Sequence, residues 1–211
     1  YPPKPSLIYQ IVSYLFVSPF FRILFKGRTF GNENVPLVGP LVVVANHGSH
    51  LDPPILGHAL PRPVAFMAKA ELFKIPLLGT IIRGCGAYPV KRGSTDRSAI
   101  RIATERLLEG WATGVFLDGT RQSNGRVNNP LAGAALLAAR TGAPLLPVAI
   151  VNSHRALKSG SIWLRFVPIH LRIGKPIPPP KSRSKADLKS TTELLQTRIN
   201  LMLDQGLLDS R

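Results

Sequence analysis

The chain has 211 residues, a formal net charge of +16, 45% hydrophobic content and one cysteine. This length suits a single domain with a substantial core, and the absence of any fixed-period repeat or low-complexity linker excludes a solenoid or a string of modules. Cys85 alone excludes an internal disulfide, and the charge points to an anionic partner: nucleic acid, an acidic membrane, a phosphorylated substrate or an acidic carrier protein.

Residues Ser6 to Lys26 are mostly Leu, Ile, Val, Phe and Tyr, flanked or punctuated by Lys4, Arg22, Lys26 and Arg28 with no acid. The uncharged run from Pro5 to Phe21 falls somewhat short of the ~20 residues that a spanning helix needs, and Pro19 would kink it, so a helix lying in the membrane interface is expected. A core helix packed on the sheet is the competing reading. The run has no clear small-residue cleavage site, so a signal peptide is not expected. Leu41-Val42-Val43-Val44-Ala45 reads as a strand buried on both faces. It runs into Asn46-His47-Gly48-Ser49-His50-Leu51-Asp52-Pro53-Pro54, a polar segment at the strand's carboxyl end, where open α/β sheets bind ligands. A regular helix would turn His47 and Asp52 roughly 140° apart and a strand would put them on opposite faces. They can meet only across a bend, which Asp52-Pro53-Pro54 supplies as a helix start with Asp52 as its cap. His47, His50 and Asp52 could be metal ligands, but no further His, Cys or carboxylate lies near in sequence and such a site normally needs three or four, so no metal is expected.

Val64 to Met67 reads as a second strand, and Lys69-Ala70-Glu71-Leu72-Phe73 opens a helix-like stretch broken by Pro76 and Gly79. Gly84 to Val90 reads as a strand ending in Lys91-Arg92, and Thr95 to Glu109 as a helix closed by Gly110. Gly114 to Leu117 is another strand with a second polar cluster, Asp118-Gly119-Thr120-Arg121, at its carboxyl end. A helix from Asn129-Pro130 to Arg140, a buried strand from Leu145 to Val151, one or two edge strands within Trp163 to Ile173, and a closing helix from Ala186 to Leu203 follow. Alternating strands and helices predict an α/β fold: a single domain with a mostly parallel mixed sheet flanked by helices. The expected division is residues 1–30 as the apolar membrane-interface helix and 31–211 as the α/β domain.

Four blocks in this order resemble the glycerolipid acyltransferase superfamily, specifically its 1-acyl-sn-glycerol-3-phosphate acyltransferases. They are the His-x4-Asp of His47 and Asp52; Lys69-x-Glu71-Leu72 with Pro76, Gly79, Gly86 and Val90-Lys91-Arg92; Leu117-Asp118-Gly119-Thr120-Arg121, where the family has Pro-Glu-Gly-Thr-Arg; and Gly142-Ala143-Pro144-Leu145-Leu146-Pro147-Val148. They cover about half the chain, and together they are highly specific. A second acyltransferase class uses His-x3-Asp, one residue shorter.

The resemblance implies acyl transfer to a hydroxyl of lysophosphatidic acid from a thioester on coenzyme A or acyl carrier protein, with no resident cofactor. Another lysophospholipid or glycerol 3-phosphate is the alternative acceptor. In that chemistry His47 is the general base and Asp52 orients it. Arg121, Gly119 and Thr120 offer a guanidinium fork, a close amide and a hydroxyl for the acceptor phosphate; Lys69 and Arg92 are further candidates, and Asp118 either orients these cations or caps a turn as a loop carboxylate. An anionic membrane surface on the cytoplasmic face is the implied setting. Nucleic acid is not an expected partner, because the aromatics fall mostly in the first thirty residues or inside strands.

Overall fold

The computed structural model describes residues 4–90, 97–158 and 160–208. Its centre is a seven-stranded sheet in the order β1-β7-β6-β2-β5-β3-β4. The strands are β1 (Arg28–Phe30), β2 (Leu41–Ala45), β3 (Val64–Lys69), β4 (Tyr88–Val90), β5 (Ala112–Phe116), β6 (Leu145–Val151) and β7 (His170–Ile173). All pairings are parallel except β6 with β7. The helices are α1 (Leu7–Leu24), α2 (Asp52–Ala59), α3 (Leu78–Gly84), α4 (Arg97–Leu108), α5 (Gly133–Thr141), α6 (Ser153–Ala156) and α7 (Lys185–Leu208).

The central strands have the sequence that their position requires. Every residue of β2 and β6 is buried, because helices cover both faces of a parallel sheet. Val42 and Val44 face a cluster with Leu107, Leu137 and Leu195 from α4, α5 and α7, whereas Leu41 and Val43 face one with Leu56 of α2 and Phe21 and Phe25 at the end of α1. Below the sheet, the buried Arg62 guanidinium donates to the carbonyls of Pro36, Gly39 and Gly110. It ties down the segments entering β2 and β5 at the pole opposite their polar clusters.

The structure amends several expectations; the helix expected from Asn129-Pro130 begins at Gly133, and the strand expected over Gly114 to Leu117 spans Ala112–Phe116. Arg28–Phe30 is not part of the N-terminal helix but a strand paired with β7, so a boundary at residue 30 severs the sheet's edge strand from its sheet. Gly84 ends α3, and only Tyr88–Val90 forms a strand. Within Trp163 to Ile173 only His170–Ile173 pairs, because Arg165 and Val167 give their N–H groups to Ala156 O and Arg165 O and Pro168 has none.

The helix α1 begins as an α-helix capped by Ser6 and widens to π geometry over Ile11–Val17 and Phe20–Leu24, on either side of Pro19. One edge is tied down: Ser6 Oγ donates to Gly84 O (2.6 Å), Tyr9 Oη donates to Gly57 O (2.7 Å), and Ser13 Oγ meets His58 Nδ1 (2.8 Å). The other edge is open, and only 11% of the helix is buried, which removes the core-helix reading. Leu7, Tyr14, Leu15 and Ile23 project from it.

Burial, aided by the Arg22 cation, holds His58 below the usual histidine value. The unfolded chain therefore takes up a proton that the fold disfavours. The stability linked to His58 is complete above about pH 6.5 and is lost as the pH falls through the lower folded value. Denaturation of the wild type and His58→Gln at about pH 7.5 and 5.5 should show a larger acid loss for the wild type. His154, shifted in the same direction, stays in both proteins. Equal losses would remove His58 from this account.

Candidate active site

The two polar clusters meet because their strands are neighbours in register: Ala45 pairs with Phe116, so His47 and Asp118 each follow two residues beyond that rung. The β3 strand lies on the other side of β5 and ends at Lys69. Three segments singled out in the sequence thus converge on the carboxyl edge of the sheet, and Arg92 lies outside the described residues.

His47 Nδ1 is 2.8 Å from Asp52 Oδ2, both residues being buried. The same oxygen accepts the backbone N–H groups of Gly48 and Ser49, each at 2.8 Å. Three donors on one carboxylate oxygen bend the segment so that a five-residue separation becomes a side-chain contact. Asp52 therefore reaches back into the turn instead of capping the helix ahead. Pro53 and Pro54, the next two residues, have no N–H to offer it.

With Nδ1–H donated to Asp52, Nε2 is the ring's basic nitrogen, and it has no hydrogen-bond partner among the described residues. The ring stacks on Phe116, 4.0 Å between centroids and 14° between planes. Among the described residues no three His, Cys, Asp or Glu side chains converge as a metal site.

Residues 117–131 wrap this pair. Leu117, which stands where the family has Pro, is buried; its N–H donates to Ala45 O (2.9 Å), a bond that a proline could not make. Gly119 adopts φ +66°, and a Cβ there would press on Leu131 at 2.9 Å. The Gln122 N–H donates to His47 O (2.7 Å), fastening the loop to the histidine's own backbone. Arg121 is half-buried, and its Nη1 is enclosed without a hydrogen-bond partner among the described residues. A buried guanidinium nitrogen left unpaired is costly, and any hydrogen-bond acceptor, an anion included, would offset that cost. Thr120 and Lys69 are exposed.

Asp118 caps the loop as a turn carboxylate, the second of its two expected roles. Its carboxylate accepts the N–H groups of Asn128 (3.2 Å) and Asn129 (2.8 Å), closing the loop on itself. Asp118→Ala should cost about 2–4 kcal/mol of stability, because two charge-assisted bonds to a buried carboxylate are lost. Urea denaturation measures this, and a loss under about 0.5 kcal/mol would deny the clasp.

Two contributors were invisible in the sequence. Asn46 Nδ2 donates to Gly125 O (2.7 Å) and Ile150 O (2.9 Å), and its Oδ1 accepts Ile150 N–H (2.7 Å), so one side chain welds the ends of β2 and β6 to the loop. His154 packs against Gly48 and Gly125, where added Cβ atoms would approach it to 2.8 and 2.3 Å. Burial, reinforced by Arg155 and opposed by Asp52, pushes its pKa down. Its position on a short helix far along the chain gave no signal.

Between α1, α2, β3 and α3 a cavity of about 410 Å³ opens, within the usual ligand-pocket range of about 300–1,000 Å³; His50 lines it, and His47 does not. Its walls are chiefly apolar: Val12 and Val17 from α1, Met67 from β3, and Leu78, Ile81 and Ile82 from α3. Pro53 and Pro54 of the His47 segment line it, as does Phe66, which stacks on Phe116 at 6.0 Å. Cys85 also faces it, and burial pushes its thiol up, as an inert packing residue requires.

The family model described as Acyltransferase matches residues 28–151. The chain belongs to the acyltransferase family and is an O-acyltransferase. It is 32% identical over 177 residues to a 1-acyl-sn-glycerol-3-phosphate acyltransferase of Bacillus subtilis (strain 168), covering 82% of this chain and 85% of that one. It is 31% identical over 176 residues to the chloroplastic enzyme LPAT1 of Arabidopsis thaliana, covering 82% of this chain and 47% of that one, so it spans about half of the plant protein. Its fold matches the crystal structure of the 1-acyl-sn-glycerophosphate (LPA) acyltransferase PlsC from Thermotoga maritima with a TM-score of 0.79 at 30% identity, covering 96% of this chain and 80% of that one. These findings uphold the resemblance drawn from the four blocks and the mostly parallel α/β sheet expected with it.

Proposed function

We propose that the protein transfers a fatty acyl group from a coenzyme A or acyl carrier protein thioester to the free hydroxyl of 1-acyl-sn-glycerol 3-phosphate, giving phosphatidic acid. The observation that carries this reading is the Asp52-held His47 ring at the end of β2, with Arg121, whose enclosed Nη1 has no hydrogen-bond partner among the described residues, on the loop after β5, and an apolar cavity lined by Pro53 and Pro54 of the His47 segment. Base, anion holder and alkyl pocket are what an acyl acceptor bearing a phosphate and its lipid-like donor need.

His47 Nε2 takes the proton of the acceptor hydroxyl as its oxygen attacks the thioester carbonyl. The C–O bond forms, the C–S bond breaks, and the imidazolium returns the proton to the leaving sulfur. Asp52 keeps the productive tautomer and stabilises the imidazolium, as in a Ser-His-Asp site with the substrate hydroxyl in place of Ser. Neither an enzyme nucleophile nor a resident cofactor is called for. Arg121 holds the acceptor phosphate with Gly119 and Thr120 beside it, and Lys69 and Arg92 supply further positive charge. The cavity takes the fatty acyl chain.

The open edge of α1 lies in the interface of an anionic membrane, on its cytoplasmic face, where acceptor and carriers meet. Turnover with both thioesters against lysophosphatidic acid, glycerol 3-phosphate and a phosphate-free monoacylglycerol tests the reading. Lysophosphatidic acid should be the best acceptor, and preference for the phosphate-free lipid would overturn the assignment.

A further inference from the structure

Residues 160–167, between α6 and β7, carry two apolar faces. Leu164 and Val167 turn inward onto the cluster that holds β6, β7 and the end of α1. Ile162, Trp163 and Phe166 turn outward, 88%, 79% and 64% exposed. The backbone between them is fixed: Arg165 N–H donates to Ala156 O (2.7 Å), Val167 N–H to Arg165 O (3.0 Å), and Trp163 N–H to Ser161 Oγ (3.0 Å). The outward side chains are thus presented by an anchored loop.

The loop abuts the end of α1. The rings of Phe166 and Phe25 are 6.2 Å apart, and Ile169 N–H donates to Phe25 O (3.0 Å). Immediately before Phe25, Phe20 and Ile23 project from α1, so the apolar surface of the helix continues into the loop. Exposed cations flank both parts along the chain: Arg155, Lys158 and Arg165 about the loop, and Arg22, Lys26 and Arg28 about the end of α1. No acid occurs in the sequence from Gly119 to Ala186.

We infer that Ile162, Trp163 and Phe166 form a second bilayer contact, seated at the boundary between headgroups and acyl chains of an anionic membrane while Arg155, Lys158 and Arg165 meet the headgroup phosphates. Indole and phenyl rings beside cations suit that boundary. The inference rests on the reading that α1 lies on the membrane, and it adds an orientation. One helix leaves the protein free to roll about its axis, whereas two adjoining contacts fix which edge of the sheet faces the lipid. The loop follows directly from α6, whose His154 packs on Gly48 beside the catalytic histidine, so the second contact sets how the site meets the surface.

The chain has two tryptophans, Trp111 and Trp163, so Trp111→Phe leaves Trp163 as the sole indole reporter. Vesicles of phosphatidylcholine and phosphatidylglycerol are added to this variant, with co-sedimentation and Trp163 emission read on the same samples. A blue shift and quenching by lipids brominated near the glycerol end of their chains are expected. Joint replacement of Ile162, Trp163 and Phe166 by Ser should weaken sedimentation about tenfold with circular dichroism unchanged, because apolar area and not folding is lost. Sedimentation without any change in Trp163 emission would overturn the second contact and leave α1 as the anchor. No sedimentation would overturn both readings. A blue shift that grows with protein concentration in the absence of vesicles would overturn the bilayer in favour of a second copy of the chain.

Discussion

His47→Ala is expected to lower acyl transfer by about 10²–10⁴-fold with the circular dichroism spectrum unchanged, since positioned general-base catalysis contributes that much. Among the described residues the ring makes one hydrogen bond and one stacking contact, so its loss leaves the sheet intact. Asp52→Asn should be nearly as damaging to turnover and should also destabilise the protein. Its Oδ2 collects the imidazole and two backbone N–H groups, and an amide nitrogen at that position would face three donors. Turnover of His47→Ala above about a tenth of the wild type would contradict the base assignment.

The second large effect is a selective one. Arg121→Ala should damage turnover with lysophosphatidic acid about ten- to a hundredfold more than with a phosphate-free monoacylglycerol, because a charge-assisted hydrogen bond worth roughly 1.5–3 kcal/mol is made by only one of them. Lys at this position should rescue little, since an ammonium is a point charge without the planar fork. The kcat/KM ratio for the two acceptors measures the effect. Equal losses would leave Arg121 a structural or donor-side residue.

Legibility followed burial. The strands β2 and β6 were readable to the residue because both faces are covered and the sequence shows it as unbroken apolar runs. The β1 strand was not, because Arg-Thr-Phe at an edge carries no period and follows an apolar helix. Residues 163–168, Trp-Leu-Arg-Phe-Val-Pro, are apolar enough to read as an edge strand, yet Trp163 and Phe166 lie exposed and the segment does not join the sheet. In the site, the meeting of His47 and Asp52 could be inferred from spacing and prolines. Its means could not, since it depends on Gly48 and Ser49 amides turning onto the carboxylate. The sequence left Asp118 between orienting cations and capping a turn for a similar reason: its partners are backbone groups ten and eleven residues ahead, which no side-chain pattern announces. Asn46 and His154 act through backbone contacts made across the fold.

In the proposed reaction the acyl group passes directly to the hydroxyl of a phosphate-bearing acceptor, activated by His47. A single-turnover experiment with acyl-labelled thioester and excess protein tests it most directly. With lysophosphatidic acid present, the label should pass mole for mole from thioester to phosphatidic acid. Without acceptor it should remain on the thioester, and none should be covalently bound to protein. Label fixed to the protein before acceptor is added, and then chased into phosphatidic acid, would contradict the account.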